Sequence, residues 1–175
     1  MVIRRAVVED VDMLARLIDG FAKGHPAEHF ARSVERLRDA FFGAEPVGHV
    51  LLAVKGDTVI GFGAWRKAYD PYWSMFGGDG LGLYVSPAYR GLGIAACIVA
   101  AICSEIREGG GHFLQASYGP SLASLYERVG VGATERSCHV SALAFERLAA
   151  AAGGSAREIV RGLPDKALNY VAVDA

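Results

Sequence analysis

The chain has 175 residues, 52% of them hydrophobic, with 18 lysines and arginines against 19 aspartates and glutamates. That length suits one domain with ample apolar material for a single core. A formal charge of −1 without runs of like charge excludes the electrostatic footprint of a nucleic-acid or anionic-membrane partner. No segment reaches the roughly 18 apolar residues of a membrane span. The opening VIRRAVVEDVD lacks the basic-then-apolar order of a secretory signal, so a cytoplasmic location is the expectation. The three cysteines, Cys97, Cys103 and Cys138, form no CxxC pair, which fits reduced thiols, with Cys97 and Cys103 filling core.

Val2 to Val8 reads as a short strand, and Glu9 and Asp10 then supply the acidic start of a helix carrying Val11, Leu14, Leu17, Ile18 and Phe21 at helical spacing. Gly24 and Pro26 interrupt that pattern, which resumes at Phe30, Val34, Leu37, Ala40 and Phe41 as a second amphipathic helix ending near Gly43. His49–Lys55 and Thr58–Lys67 are β-rich runs joined by Lys55-Gly56-Asp57-Thr58, the signature of an antiparallel hairpin. Asp70–Gly80 reads as a loop rich in glycine and aromatics, followed by a strand, Leu81–Val85, stopped by Ser86-Pro87.

Gly91–Glu108 has the length and apolar density of a buried helix ended by Gly109-Gly110-Gly111, and His112–Ser117 returns as a strand, which predicts a parallel strand–helix–strand crossover. Ser121–Val129 reads as a short helix, Thr134–Ala142 as a strand, and Phe145–Ala152 and Ala156–Leu163 as helical pieces around Gly153-Gly154. The tail from Asp165 is ambiguous. The expectation is one α/β domain over residues 1–175, with a core of about 2–142 and a helical extension of about 143–175.

Arg90-Gly91-Leu92-Gly93-Ile94-Ala95 lies where a strand hands over to a helix. A loop entering a helix exposes unpaired N–H groups at the positive end of the helix dipole, and glycines let an anion approach them. From the residues alone, the glycines would equally serve a plain turn and Arg90 a solvated charge. Gly91–Ala96 also satisfies the relaxed dinucleotide pattern GxGxxA. That reading requires an acid at the end of the next strand, where HFLQAS has none.

LYVSPAYRGLGIA resembles the coenzyme-A-binding motif of the GNAT superfamily of N-acetyltransferases, Q/R-x-x-G-x-G/A, which Arg90, Gly93 and Ala95 meet. The order of elements from about Val2 to Val140 is similar to that family's as well. The resemblance implies a mixed, mostly antiparallel sheet with a central parallel strand pair and helices on both faces. It implies acetyl-CoA as acyl donor, the backbone of Arg90, Gly91, Leu92, Gly93, Ile94 and Ala95 cradling the pyrophosphate, and the backbone of Leu83, Tyr84 and Val85 pairing with the pantetheine arm. The Val85 amide would face the thioester oxygen. LASLYERVGV resembles the second family motif, whose helix tyrosine, here Tyr126, protonates the leaving thiolate.

Gly119 and Val131 stand where the family often has Asn and Phe, and Leu81 and Gly82 where many members carry a glutamate base. Asp79, eleven residues before Arg90, is the nearest substitute, and strand alternation puts it on the face of Leu81 and Leu83. A water relay competes with it as base, and among glycines it also fits ordinary turn chemistry. Tyr69, Tyr72, Trp73 and Phe76, with Trp65, are candidates to wall an amine pocket, with core or lid packing as the alternative.

His25-Pro26-Ala27-Glu28-His29 spells an inverted zinc-peptidase motif, but Pro26 keeps His25 at or before the helix cap, out of line with His29, so no metal is expected. The sequence therefore reads as an acetyl-CoA-dependent N-acetyltransferase acting on a primary amine, of a small molecule rather than a protein. The alternatives are a coenzyme-A-binding module with little catalysis and, behind it, a zinc-dependent hydrolase. A homodimer formed through the apolar tail from Ala149 is an arrangement the sequence allows.

Overall fold

The computed structural model describes residues 1–23, 33–117, 132–133 and 137–161. Its centre is a seven-stranded sheet in the order β1-β2-β3-β4-β5-β7-β6, built from β1 (Val2–Arg5), β2 (His49–Lys55), β3 (Thr58–Asp70), β4 (Met75–Val85), β5 (Phe113–Ser117), β6 (Gly132–Ala133) and β7 (Ser137–Ser141). Among the described strands only β4 and β5 run parallel; every other neighbouring pair is antiparallel. The helices among the described residues are α1 (Val11–Ala22), α2 (Val34–Phe42), α3 (Ile94–Glu108), α4 (Ala142–Ala150) and α5 (Ala156–Arg161). The mixed, mostly antiparallel architecture expected of the sequence is the one observed.

Alternate residues of β2 enter two separate apolar clusters, as a period of two requires in a sheet covered on both faces. Leu51 and Ala53 join Ile60, Trp65, Ile98, Ile102, Cys103 and Ile106 under α3, and Phe145, Leu148 and Ile159 bring α4 and α5 into that cluster. Val50 and Leu52 join Phe62, Ala64, Leu14 and Leu17 under α1, with Leu37 and Phe41 of α2 packed against them. These are the α3 face and the α1 face of the sheet.

Local chemistry fixes the entries to the elements. Asp10 receives both terminal nitrogens of Arg4, at 2.7 and 2.8 Å, and the Val7 amide at 2.8 Å, tying β1 to the start of α1. Ser33 caps α2 by accepting from the Arg36 amide. Ser155 and Glu158 cap α5 reciprocally, the Glu158 carboxylate accepting from the Ser155 amide and the Ser155 hydroxyl from the Glu158 amide.

The segment Asp70–Gly80, read from sequence as a loop, is mostly strand. β3 runs on to Asp70, residues 71–74 turn, and β4 begins at Met75. Asp70 Oδ1 closes the turn by accepting from the amides of Tyr72 at 2.8 Å and Trp73 at 3.3 Å. The glycines that suggested a loop are demanded by neighbours instead. A Cβ on Gly78 would collide with Ile106, and one on Gly77 would lie 2.5 Å from the Phe113 ring. The first strand ends at Arg5, short of Val8, and α3 starts at Ile94, not Gly91.

Candidate functional site

β4 is paired along one edge except at Leu81 and, among the described residues, along only part of the other. Against β5 its register covers Gly78–Leu114, Asp79–Gln115 and Gly80–Ala116, whereas against β3 it is paired as far as Val85. Among the described residues the β4–β5 pairing ends at Gly80, while β4 itself runs on to Val85. The Ser86 amide donates to the Ile60 carbonyl of β3 at 2.9 Å. Backbone groups alternate edges along a strand, so those of Tyr84 also face β3, and those of Leu83 and Val85 point away from it. The backbone role expected of Leu83, Tyr84 and Val85 thus divides: Leu83 and Val85 offer theirs, and Tyr84 spends its own on β3. The Tyr84 ring lies on the α1 face beside Phe62 and Phe21.

A 3-10 turn, Pro87–Tyr89, carries the chain out of β4, with Lys55 of β2 held over the Tyr89 ring at 5.5 Å. The Arg90 amide donates to the Pro87 carbonyl at 3.2 Å, which removes it from any cradle built of free N–H groups. Gly91 and Gly93 follow with φ of +75° and +76°, a left-handed conformation costly for any residue with a Cβ. A Cβ on Gly91 would meet no described residue within 4 Å, whereas one on Gly93 would strike Ala156 of α5. The Cys97 amide donates to the Gly93 carbonyl at 3.2 Å and opens α3. Helix geometry leaves the amides of Ile94, Ala95 and Ala96 without intrahelical acceptors. Ile94 is buried and anchors this end, while Leu92 is exposed. The Arg90 side chain folds back: its Nε donates to the Val85 carbonyl at 3.0 Å and its guanidinium carbon lies 5.6 Å from the Tyr84 ring centroid.

Asp79 sits one residue before the last β4–β5 pair. Arg66 lies opposite it on β3 and gives both Nε, at 3.0 Å, and Nη2, at 2.9 Å, to Oδ2. Asp79 does not share a face with Leu83, as strict alternation predicted. The β3–β4 register passes from Ala64–Gly82 to Trp65–Gly80, leaving Leu81 as the extra residue of a bulge. Trp65 and Leu83 belong to the α3 face, so Arg66, next to Trp65, faces the other way and Asp79 with it. Arg66 is the site residue that the sequence reading missed. The Asp70-Pro71 turn signal would have found it, since four residues back from Asp70 and four on from Met75 lie Arg66 and Asp79.

The aromatic wall does not assemble as one surface. Trp65 is 3% exposed, meets the His49 ring at a tilt of 49° with centroids 4.9 Å apart, and donates from Nε1 to Glu105 Oε2 at 3.1 Å. It is core, not pocket lining. Burial pushes the pKa of His49 down, helped by the Arg5 cation. Tyr69 and Phe76 pair at the exposed end of the hairpin, with Tyr72 and Trp73 at its tip. Cys97 and Cys103 are buried free thiols whose pKa values burial raises. Tyr126, Gly119 and Val131, with the histidine motif from His25 to His29, lie outside the described residues. Among the described residues, no three His, Cys, Asp or Glu side chains are grouped to hold a metal, and no helix is long and apolar enough to cross a membrane.

A β-strand end followed by a glycine turn at a helix N-terminus presents backbone groups and free amides of a kind that can receive an extended, anionic ligand. The sequence model of the acetyltransferase (GNAT) family matches residues 14–131, and the chain belongs to that family. No curated protein matches the sequence. Among solved structures, a mutant of the BH1408 protein from Bacillus halodurans aligns at 20% identity over 77% of this chain and 95% of its own, with a TM-score of 0.66. A ribosomal-protein-alanine N-acetyltransferase from Brucella melitensis aligns at 18% identity over 81% of this chain and 100% of its own, TM-score 0.61. An aminoglycoside acetyltransferase from an uncultured soil metagenomic sample, solved with sisomicin, aligns at 16% identity over 71% and 81%, TM-score 0.59. These likenesses are of fold.

Proposed function

We propose that the protein transfers an acetyl group from acetyl-CoA to the primary amine of a small molecule, by direct attack while both substrates are bound. The observation that carries this reading is the continuation of β4 to Val85 after its pairing with β5 has stopped at Gly80. The Leu83 and Val85 backbone groups turn to the edge away from β3, and the chain passes from that end of β4 to the Gly91–Gly93 turn. An extended pantetheine arm fits there as an added strand, with its pyrophosphate over Gly91 and the free amides that begin α3.

In that arrangement the Val85 amide is the donor to the thioester oxygen, a contribution of about 3 kcal/mol for one well-placed group. The amide bond forms as the carbon–sulfur bond breaks. The proton lost by the amine goes to Asp79 or to a water chain ending there, and the leaving thiolate takes its proton from Tyr126, the donor that the second family motif implies. With Trp65 buried in the core, the acceptor is taken to approach from the Asp79 side of β4.

Thermal unfolding with and without acetyl-CoA, followed by mass spectrometry of acetylated products from a panel of primary amines, tests the reading. Coenzyme at one hundred times its dissociation constant adds about 2.7 kcal/mol of stability. A shift with an acetylated product supports the transferase. A shift with no product from any amine favours the binding module, and no shift with any acyl-CoA defeats both.

A further inference from the structure

We propose that Arg66 is a positioning and specificity-determining residue for the acceptor amine, acting through Asp79; this rests on the acetyl-transfer reading above. The two residues are direct cross-strand partners, and both donated hydrogen bonds converge on one carboxylate oxygen, Oδ2. Oδ1 is left outside the ion pair as the atom that can accept from an ammonium or a bridging water.

Asp79 has little else to hold it. Its β4 neighbours Gly77, Gly78, Gly80 and Gly82 carry no side chains, and the Phe113 ring fills the space at Gly77 while Phe62 and Phe21 lie 3.5 and 3.6 Å from a Cβ at Gly82. Among the described residues, Arg66 is the one hydrogen-bond partner of the Asp79 carboxylate. The fork geometry of a guanidinium fixes the plane of a carboxylate in a way that an ammonium cannot.

The pair also sets the local charge. Arg66 cancels Asp79, so the acceptor side does not concentrate polycations. An amine with one positive charge is bound through Oδ1 as well as a polyamine is. Removing the guanidinium would leave a net negative charge beside the last β4–β5 pair, and attraction would then grow with each added positive charge on the substrate. Half-exposed pairs of this kind contribute little to folding, so changes at Arg66 read out on the site and not on the fold.

The test compares wild type, Arg66→Gln, Arg66→Lys, Asp79→Asn and the Arg66→Gln/Asp79→Asn double variant, with butylamine and spermidine as acceptors and acetyl-CoA binding followed separately by calorimetry. The expected result for Arg66→Gln is about a tenfold loss of kcat/KM for butylamine, a smaller loss for spermidine, and unchanged acetyl-CoA affinity. Arg66→Lys should restore the wild-type preference between the two amines but only part of the rate. In the Asp79→Asn background the Arg66 change should have no further effect. Independent, multiplying losses from the two single variants would overturn the inference, as would an Arg66→Gln protein with the wild-type ratio of the two amines. Acetyl-CoA binding lost already in the wild type would instead sink the acetyl-transfer reading itself. Binding without turnover of either amine by the wild type would count against Asp79 as the amine's receiver and so against Arg66.

Discussion

Arg90 reaches back over the turn it begins and donates from Nε to the carbonyl of Val85 at 3.0 Å. That carbonyl points away from β3, where an added strand would otherwise claim it. The arginine of the glycine motif thus claims the last carbonyl on this edge of β4 and, among the described residues, leaves the Val85 amide without an acceptor. Arg90→Met should raise the KM for acetyl-CoA about tenfold, since hydrogen bonds from charged donors are worth about 1.5–3 kcal/mol and a factor of ten is 1.4. Arg90→Lys should not rescue it, because lysine has no Nε–H fork to match. Steady-state kinetics with acetyl-CoA varied would check this, and an unchanged KM would remove Arg90 from the site.

The two left-handed glycines separate two effects. Gly91→Ala places a methyl with no described residue within 4 Å and adds the cost of its positive φ, about 1–2 kcal/mol. Gly93→Ala adds the same strain and also collides with Ala156, so it must displace α5. Gly93→Ala should therefore lower Tm well beyond the few degrees of Gly91→Ala, while both weaken acetyl-CoA binding. Calorimetric melting of the two variants, with and without coenzyme, distinguishes them; equal Tm losses would contradict the packing of α5 on the turn.

Asp10 makes stability depend on acid. Its hydrogen bonds from Arg4, and less so from the Val7 amide, hold its pKa below the ordinary carboxylate value of about 3.9. A carboxylate whose pKa is lower in the folded than in the unfolded chain contributes stability above the unfolded value and loses it as pH falls through the folded one. Asp10→Asn should cost about 1 kcal/mol at pH 7, allowing for the partly exposed Arg4, and much less at pH 3. Urea denaturation of both proteins at the two pH values measures the difference; a penalty that does not shrink in acid would refute the ion pair.

Gly78 is held to glycine by α3. Adding a Cβ there drives it into Ile106 and to within 3.2 Å of Trp65. Overpacking of this kind costs about 1–3 kcal/mol. Gly78→Ala should be destabilised by that amount, and Gly78→Ala/Ile106→Val should recover part of it by shortening the side chain that is struck. Failure of the second change to help would place the strain elsewhere.

Punctuation and periodicity made much of the fold legible. Gly56-Asp57 announced the β2–β3 hairpin, Ser86-Pro87 the end of β4, and Gly109–Gly111 the end of α3, all where the structure has them. The turn at Arg90–Ala95 was legible because its glycines answer to backbone torsion, which is local. The first half of β4 was not. Glycine is a poor strand former, and what demands it at Gly77 and Gly78 is a ring on β5 and an isoleucine on α3, contacts that no local pattern records. The face of Asp79 was misassigned for a related reason, since alternation holds only while the register does. β6, two residues long, carries too little pattern to be seen.

The unpaired residue at Leu81 has a consequence for what kind of change this strand can survive. A pleated strand is a two-phase signal, and one surplus residue switches its phase, so that Gly80 lies on the α3 face while Gly82 lies on the other. Substitutions at Leu81 leave that arrangement in place, and so does its loss: deleting the surplus residue joins Gly80, still opposite Trp65, to Gly82, still opposite Ala64, and Asp79 stays beside Arg66 on the α1 face. A single codon lost at this point would flatten the strand and spare the site, because the bulge is the one place in β4 where a residue is carried without a partner.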